Sequence, residues 1–508
     1  MEKLKKIFYK IIYILEFIFC LIEAFLVLYI TNDLLNNQID YFKIIISIIL
    51  GIVIVAIIVI SIKKSNKKIE KLFITFAIPI SLLYLVFLIP TYVPDENFHA
   101  YRAYEVASGE LIISYDENGM TETYIPEDLE KTGIDAGINK YNLLINHMDN
   151  NSNYEKDKKV FSACQSYFPA LYTFSGIGFL IGKIFSLNFM ITMYIARTLN
   201  LIVGLILGYY SIKLIPFGKL LLTIYMFLPM YFQQEVSISA DSLINSVAIF
   251  FIAYNLYLIY KSETFTLKNK IFYILLSIFL SLGKIVYLPL AFLSILLLKN
   301  KKYDKKETIK FIIITLCVTI ILGCIWYIFS SGYKDQRTEY LIENNVNGGE
   351  QIKWILKNPI SYIKVLLYTC LSQGNIYLEQ FIGAPLGWLN IPIEGFIIKM
   401  FFVMLIISPF LEKNDYNIDI KERLFYLILF TGIAILAITG LYIGWSTVGG
   451  HVVLGFQGRY LLPIMILPLL CLSLKDKNIE FKNINILSIL TVSIFNLGII
   501  VQVMRFFI

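Results

Sequence analysis

Apolar runs of about 20 residues, the length that crosses a bilayer as helix, recur along the whole chain. They are separated by short links in which lysines gather. The pattern predicts membrane helices over Ile7–Ile30, Ile44–Ile62, Leu72–Pro90 and Asn188–Tyr210. Further runs follow at Leu220–Phe232, Leu243–Tyr260, Phe311–Ser330, Glu394–Phe410, Leu424–Trp445, Tyr460–Leu474 and Ile484–Val503. The stretch Ile271–Leu298 has lysine clusters at both ends, so it must cross an even number of times. Gly283-Lys284 near its middle predicts a hairpin of two short helices turning towards the outer side. The sum is an all-α integral membrane protein with about 13 crossings.

Charge sets the expected orientation. Lys63, Lys64, Lys67, Lys68 and Lys71 form a link almost without acid, which marks a cytoplasmic side. The next polar segment, 91–165, carries 14 acidic residues against six Lys or Arg and is expected outside. If Tyr167–Phe185 also spanned, every later lysine-rich link would face out, so it is read as a re-entrant or surface-lying helix. A second outer segment covers 331–392. The N-terminus is then cytoplasmic and the C-terminus outside. Residues 1–71 read as two N-terminal helices with a basic link, 72–475 as the main module and 476–508 as a last helix.

Composition agrees: 57% of the 508 residues are hydrophobic and 16% charged, which excludes an ordinary soluble domain. The net charge of +7 reports topology and gives no sign of nucleic acid as a partner; membrane lipids are the expected surroundings. The six cysteines form no disulfide framework and no CxxC metal spacing. Glu16 and Glu23, on one face of the first helix, are expected to pack together.

The main chemical signal is Pro94-Asp95-Glu96-Asn97-Phe98-His99-Ala100-Tyr101-Arg102, just after the third helix. With Pro94 opening a helix, Asp95, His99 and Arg102 fall at i, i+4 and i+7 on one face. A helix cap accounts for the two acids but not for His99 and Arg102. Together they offer a base or metal ligand and a cation for phosphate. Ser237, Ser239 and Asp241 precede another span, where a cap is the plain explanation. Lys284 sits in an apolar stretch, costly for a cation unless it is paired or snorkels to water. Arg197 lies near the outer end of its span, and Gln457-Gly458-Arg459-Tyr460 opens another. Acid, imidazole and cations at one membrane face suit group transfer from a lipid-linked donor.

Pro94-Asp95-Glu96-x-x-His99-x-x-Arg102, Ser239-Ala240-Asp241 and Gln457-Gly458-Arg459-Tyr460-x-x-Pro463, in this order, resemble the bacterial membrane family catalogued as domain of unknown function 2142. The likeness covers about residues 75 to 475 and leaves the first two helices as an addition. It implies a branch of the C-type membrane glycosyltransferases, whose members carry an essential acid in the first outer loop and use polyprenyl-phosphate sugars. It further implies a long catalytic-side outer loop and juxtamembrane helices. On that reading a sugar passes from undecaprenyl phosphate, with inversion, to a cell-surface glycan, teichoic-type polymer or lipid at the outer face of the plasma membrane. Asp95 is the expected base. Glu96 assists, or joins Asp95 in holding Mg²⁺ or Mn²⁺. His99, Arg102, Arg197, Asp241, Lys284, Gln457, Arg459 and Tyr460 are the expected substrate contacts. The rival readings are a flippase or transporter of lipid-linked sugars, and a glycan polymerase or ligase.

Overall fold

In the computed structural model residues 2–115, 121–132, 137–148, 152–155, 158–331, 339–475 and 483–508 are described. The outer segments expected at 91–165 and 331–392 therefore lie partly outside the described residues, as does 476–482. The chain is mostly helical. Eight helices among the described residues are long and apolar enough to cross a membrane: Lys10–Leu35, Tyr41–Lys64, Ile69–Phe87, Phe189–Leu214, Ala240–Tyr260, Lys305–Ser330, Ile420–Trp445 and Ile484–Phe507.

The chain opens with α1 (Glu2–Leu35), α2 (Tyr41–Lys64) and α3 (Ile69–Phe87). The α1 and α2 faces meet through the Ser47 hydroxyl, which donates to Glu23 at 2.6 Å; Glu16 is buried on the same helix. Helix α4 (Glu96–Ala107) follows, then a small polar subdomain. There β1 (Glu122–Ile125) pairs antiparallel with β2 (Lys158–Phe161), and the chain between them forms α5 (Glu127–Glu130) and α6 (Tyr141–Met148). The subdomain is tied to the bundle by the Tyr141 hydroxyl, which donates to the Phe87 carbonyl at 3.0 Å.

After a 3-10 turn at Pro169–Tyr172 comes α7 (Thr173–Ile184), 12 residues long. At 1.5 Å per residue it reaches about 18 Å, too short to span. It packs instead on α8 (Phe189–Leu214), where a Cβ on Gly178 would overlap the Ala196 backbone. Next come α9 (Lys219–Met226) and α10 (Pro229–Glu235). The single run expected over Leu220–Phe232 is thus two pieces, because Pro229 has no N–H to continue the helix and starts a new one.

Helix α11 (Ala240–Tyr260) leads to α12 (Leu267–Gly283) and a 3-10 segment, Ile285–Lys299. The expected hairpin is present, with Lys284 at its turn. Then come α13 (Lys305–Ser331), α14 (Glu339–Glu343), α15 (Gly348–Lys357) and α16 (Pro359–Ile382). The last elements are α17 (Gly395–Leu411), α18 (Ile420–Trp445), a 3-10 turn at Gly458–Leu461, α19 (Ile466–Leu470) and α20 (Ile484–Phe507). The run expected as a helix over Tyr460–Leu474 is irregular, since Pro463 and Pro468 interrupt it. All six cysteines are free.

The molecule has two distinct ends. At one, Lys67 bonds Asn483 ahead of α20, and Lys299 pairs with Asp419 and with Glu422, which also accepts from Tyr260 at 2.6 Å. At the other, the Trp388 indole donates to the Thr91 carbonyl at 3.0 Å, and Tyr92 packs on Phe507. Lysines dominate the first end; α4 and the polar subdomain form the second.

Candidate active site

Asp95 precedes α4 with φ 64° and ψ 8°, the left-handed region that a non-glycine residue enters at a cost of order 1 kcal/mol. Its carboxylate makes no cap hydrogen bond, so the capping account of this acid does not describe it. The side chain is 51% exposed and faces the Arg459 guanidinium at 3.6 Å. Strain at a half-exposed acid beside a buried cation is an arrangement a cap does not need.

Glu96 has a different place from the one expected. It is buried, and all four of its acceptor positions are taken. Oε1 accepts from Arg197 Nε at 2.7 Å and from the Ile238 N–H at 3.0 Å. Oε2 accepts from Arg197 Nη2 and from the Thr91 N–H at 2.8 Å. A carboxylate so used has no lone pair for an acceptor hydroxyl or a metal, so Glu96 is corrected from catalytic acid to internal tie. Among the described residues no three of His, Cys, Asp and Glu cluster around a metal position. Asp95 and Glu96 together do not form one either, because Glu96 is turned inward.

The same geometry corrects two cations. Arg197 is buried, and it also donates to the Leu88 carbonyl at 2.6 Å and the Ile89 carbonyl at 3.2 Å, closing the end of α3. Arg102 is buried, pairs with Glu105 at 2.7 Å, and donates to the Glu110 and Leu111 carbonyls at 3.2 Å each. Gln165 holds the other Glu105 oxygen at 2.7 Å. Both Nη groups of Arg102, and Nε and both Nη groups of Arg197, go to protein partners, so neither arginine is positioned to hold a substrate phosphate.

The other expected residues converge. Asp241, in the first turn of α11, leaves capping to Ser239, whose Oγ accepts from the Asp241 N–H at 3.1 Å. Its carboxylate pairs instead with Lys284 at the hairpin turn. The Lys284 ammonium also lies over the rings of Tyr167, at 5.6 Å, and Tyr460, at 5.3 Å. The Arg459 guanidinium also lies against that ring, 5.4 Å from the Tyr460 centroid. Its 3-10 turn is pressed onto α16: a Cβ on Gly458 would overlap the Tyr377 carbonyl, and Gln380 accepts the Gly458 N–H at 2.9 Å. Gln457 Oε1 is buried there with no hydrogen-bond partner.

His99 is buried beside this cluster, with Nδ1 2.6 Å from the Tyr172 hydroxyl. Burial holds the imidazole far below its usual range, to about 3; Asp241 opposes that effect, while Lys284 and Arg459 add to it. The ring is therefore neutral at ordinary pH. Two aromatic residues that the sequence placed in the re-entrant or surface-lying stretch, Tyr167 and Tyr172, thus belong to the site.

The family match lies on the same residues. The sequence profile of a family described as predicted membrane protein, domain of unknown function 2142, matches residues 80–468. The chain belongs to that family. The match opens inside α3 and ends inside α19, so it takes in Asp95, Asp241, Lys284 and Arg459 and leaves out α1, α2 and α20. No curated protein and no solved structure matches the chain.

Proposed function

We propose that this family member is an inverting, C-type membrane glycosyltransferase using a polyprenyl-phosphate sugar. The observation that carries the reading is a half-exposed, strained Asp95 facing the buried Arg459, with the partly buried Lys284–Asp241 pair against the same Tyr460 ring, all from distant parts of the chain. Transfer to a hydroxyl needs a carboxylate within reach of its proton. It also needs fixed positive charge where the leaving phosphate gathers electrons. Asp95 is the base in this proposal. Lys284 and Arg459 receive the phosphate, the Tyr460 ring lies against both, and neutral His99 supplies a ring N–H or lone pair to the sugar. Asp241 holds Lys284, and Gln457 offers its unspent oxygen.

The basic end is cytoplasmic and the site faces out in this reading, as the lysine distribution favours. The 13 crossings are completed by the shorter pieces that run between the two ends: α9 with α10, α12, the 3-10 segment after it, α17, and residues 459–473. At about 25 Å for α12 and about 30 Å for its 3-10 partner, both hairpin arms are long enough to bring Lys284 to the site end. The donor is an undecaprenyl-phosphate sugar in the plasma membrane, and the acceptor a surface glycan, teichoic-type polymer or lipid.

The test is the lipid pool. Cells lacking the protein should accumulate a polyprenyl-monophosphate sugar, read by mass spectrometry of lipid extracts. Wild-type protein should clear it and Asp95→Asn should not. An unchanged pool in both strains would defeat the proposal. Accumulation confined to the inner leaflet would point to the flippase reading instead.

A further inference from the structure

We infer that Asp95 and the departing phosphate compete for Arg459, so that the proton taken up by Asp95 hands the guanidinium to the product. This rests on the transfer reading above and adds a coupling to it.

The four charged side chains of the site, Asp95, Asp241, Lys284 and Arg459, cancel, and His99 is neutral. The two cations are held differently. Lys284 is fixed by its contact with Asp241 and lies against two rings. Arg459 is only 6% exposed, yet its Asp95 neighbour stands at 3.6 Å, beyond a good hydrogen bond. Arg197 and Arg102 show what a committed arginine looks like in this molecule: each is locked by a carboxylate at hydrogen-bonding distance and by two carbonyls. Arg459 has donors to spare. The charged and titratable groups that act on this pair are the buried Cys164 thiol near Asp95, and Tyr460, Asp241 and His99 near Arg459.

The transfer step moves charge between Arg459's two neighbours. The acceptor O–H gives its proton to Asp95, and its oxygen bonds the anomeric carbon. The bond from that carbon to the phosphate oxygen breaks, and its electron pair stays on the phosphate. The donor phosphodiester carried one negative charge; the phosphomonoester leaves with two, while Asp95 has lost one. Total charge is constant. Arg459 therefore loses the Asp95 charge in the same step that creates a dianion, while Asp241 stays paired with Lys284, and the free guanidinium donors turn to the phosphate. Product release then follows return of the Asp95 proton to solvent, which the side chain's exposure permits.

Binding of farnesyl phosphate to the purified full chain in detergent, with farnesol as the uncharged control, tests this without a sugar or an acceptor. Asp95→Asn imitates the protonated acid, and asparagine tolerates the left-handed backbone. It should bind farnesyl phosphate about tenfold more tightly than wild type, the scale of one unit-charge interaction at a partly exposed site. Arg459→Gln should bind it more weakly, and in Asp95→Asn/Arg459→Gln the gain should vanish. Farnesol binding should be the same in all four. Wild type that prefers farnesyl phosphate, with no gain in Asp95→Asn or a gain that survives loss of Arg459, overturns the coupling and leaves the donor reading standing. Equal affinity for farnesyl phosphate and farnesol in all four proteins removes the phosphate site, and the inference falls with it.

Discussion

Asp95 and Glu96 are neighbours in sequence with opposite environments, and that contrast sets the residue-scale expectations. Asp95→Asn keeps shape and backbone, so a lipid-pool or purified-transfer assay should show at least about 100-fold loss of turnover with little change in thermal unfolding. Near-normal turnover would remove the base assignment. Glu96→Gln should do the reverse. It leaves Arg197 charged and buried without its partner, a change costing about 3–5 kcal/mol, so the unfolding midpoint in detergent should fall sharply. Added Mg²⁺ or Mn²⁺ should not restore it; restoration would reopen the metal role. His99 gives a pH signature. Its folded pKa of about 3 is below the ordinary 6.5, so the unfolded chain binds the extra proton between those values. The stability from its neutral form is present in full above pH 6.5 and is lost as pH falls towards 3. His99→Gln should flatten the fall in unfolding midpoint over that window, and an unchanged slope would show that the imidazole is not held neutral.

At the scale of elements, the site is assembled from ends and interruptions. Asp95 stands before α4, Asp241 in the first turn of α11, Lys284 at the hairpin turn and Arg459 in a 3-10 turn. Such positions bring polar groups to the rim of a helix bundle while the spans pair their own backbone in lipid. Gly458 is the tightest of these joints. Gly458→Ala would push the Arg459 turn off α16 and should cost both stability, by about 1–3 kcal/mol as other overpacking does, and phosphate-probe affinity. An alanine variant that unfolds and binds like wild type would show the turn can give way. The sequence marked each of these elements by its motif. It could not show that Arg102, on the same helix as His99, turns to Glu105 and two carbonyls. Helical spacing gives the face a residue lies on, not the partner waiting there.

For the molecule as a whole, the separation of a lysine-rich end from the end bearing the site makes orientation testable. In a cysteine-free background, Lys131→Cys in the polar subdomain should react with an impermeant maleimide on intact cells, and Asn66→Cys in the basic link should react only after permeabilisation. The opposite result would turn the molecule over and place the site on the cytoplasmic face.

The apolar runs, the lysine links and the three motifs were legible without a structure, because a bilayer imposes span length and charge asymmetry on local sequence. So was the turn at Lys284, since two lysine-flanked ends demand an even number of crossings. What only the tertiary structure decided was the use of each charge. Glu96, Arg102 and Arg197 read in sequence like Asp95, Lys284 and Arg459. The first three lie where backbone N–H and C=O groups from other segments converge and need satisfying in an apolar interior. The second group lies where those segments end and leave donors and a carboxylate unspent. That division depends on which helix ends meet, a long-range contact that no local pattern carries.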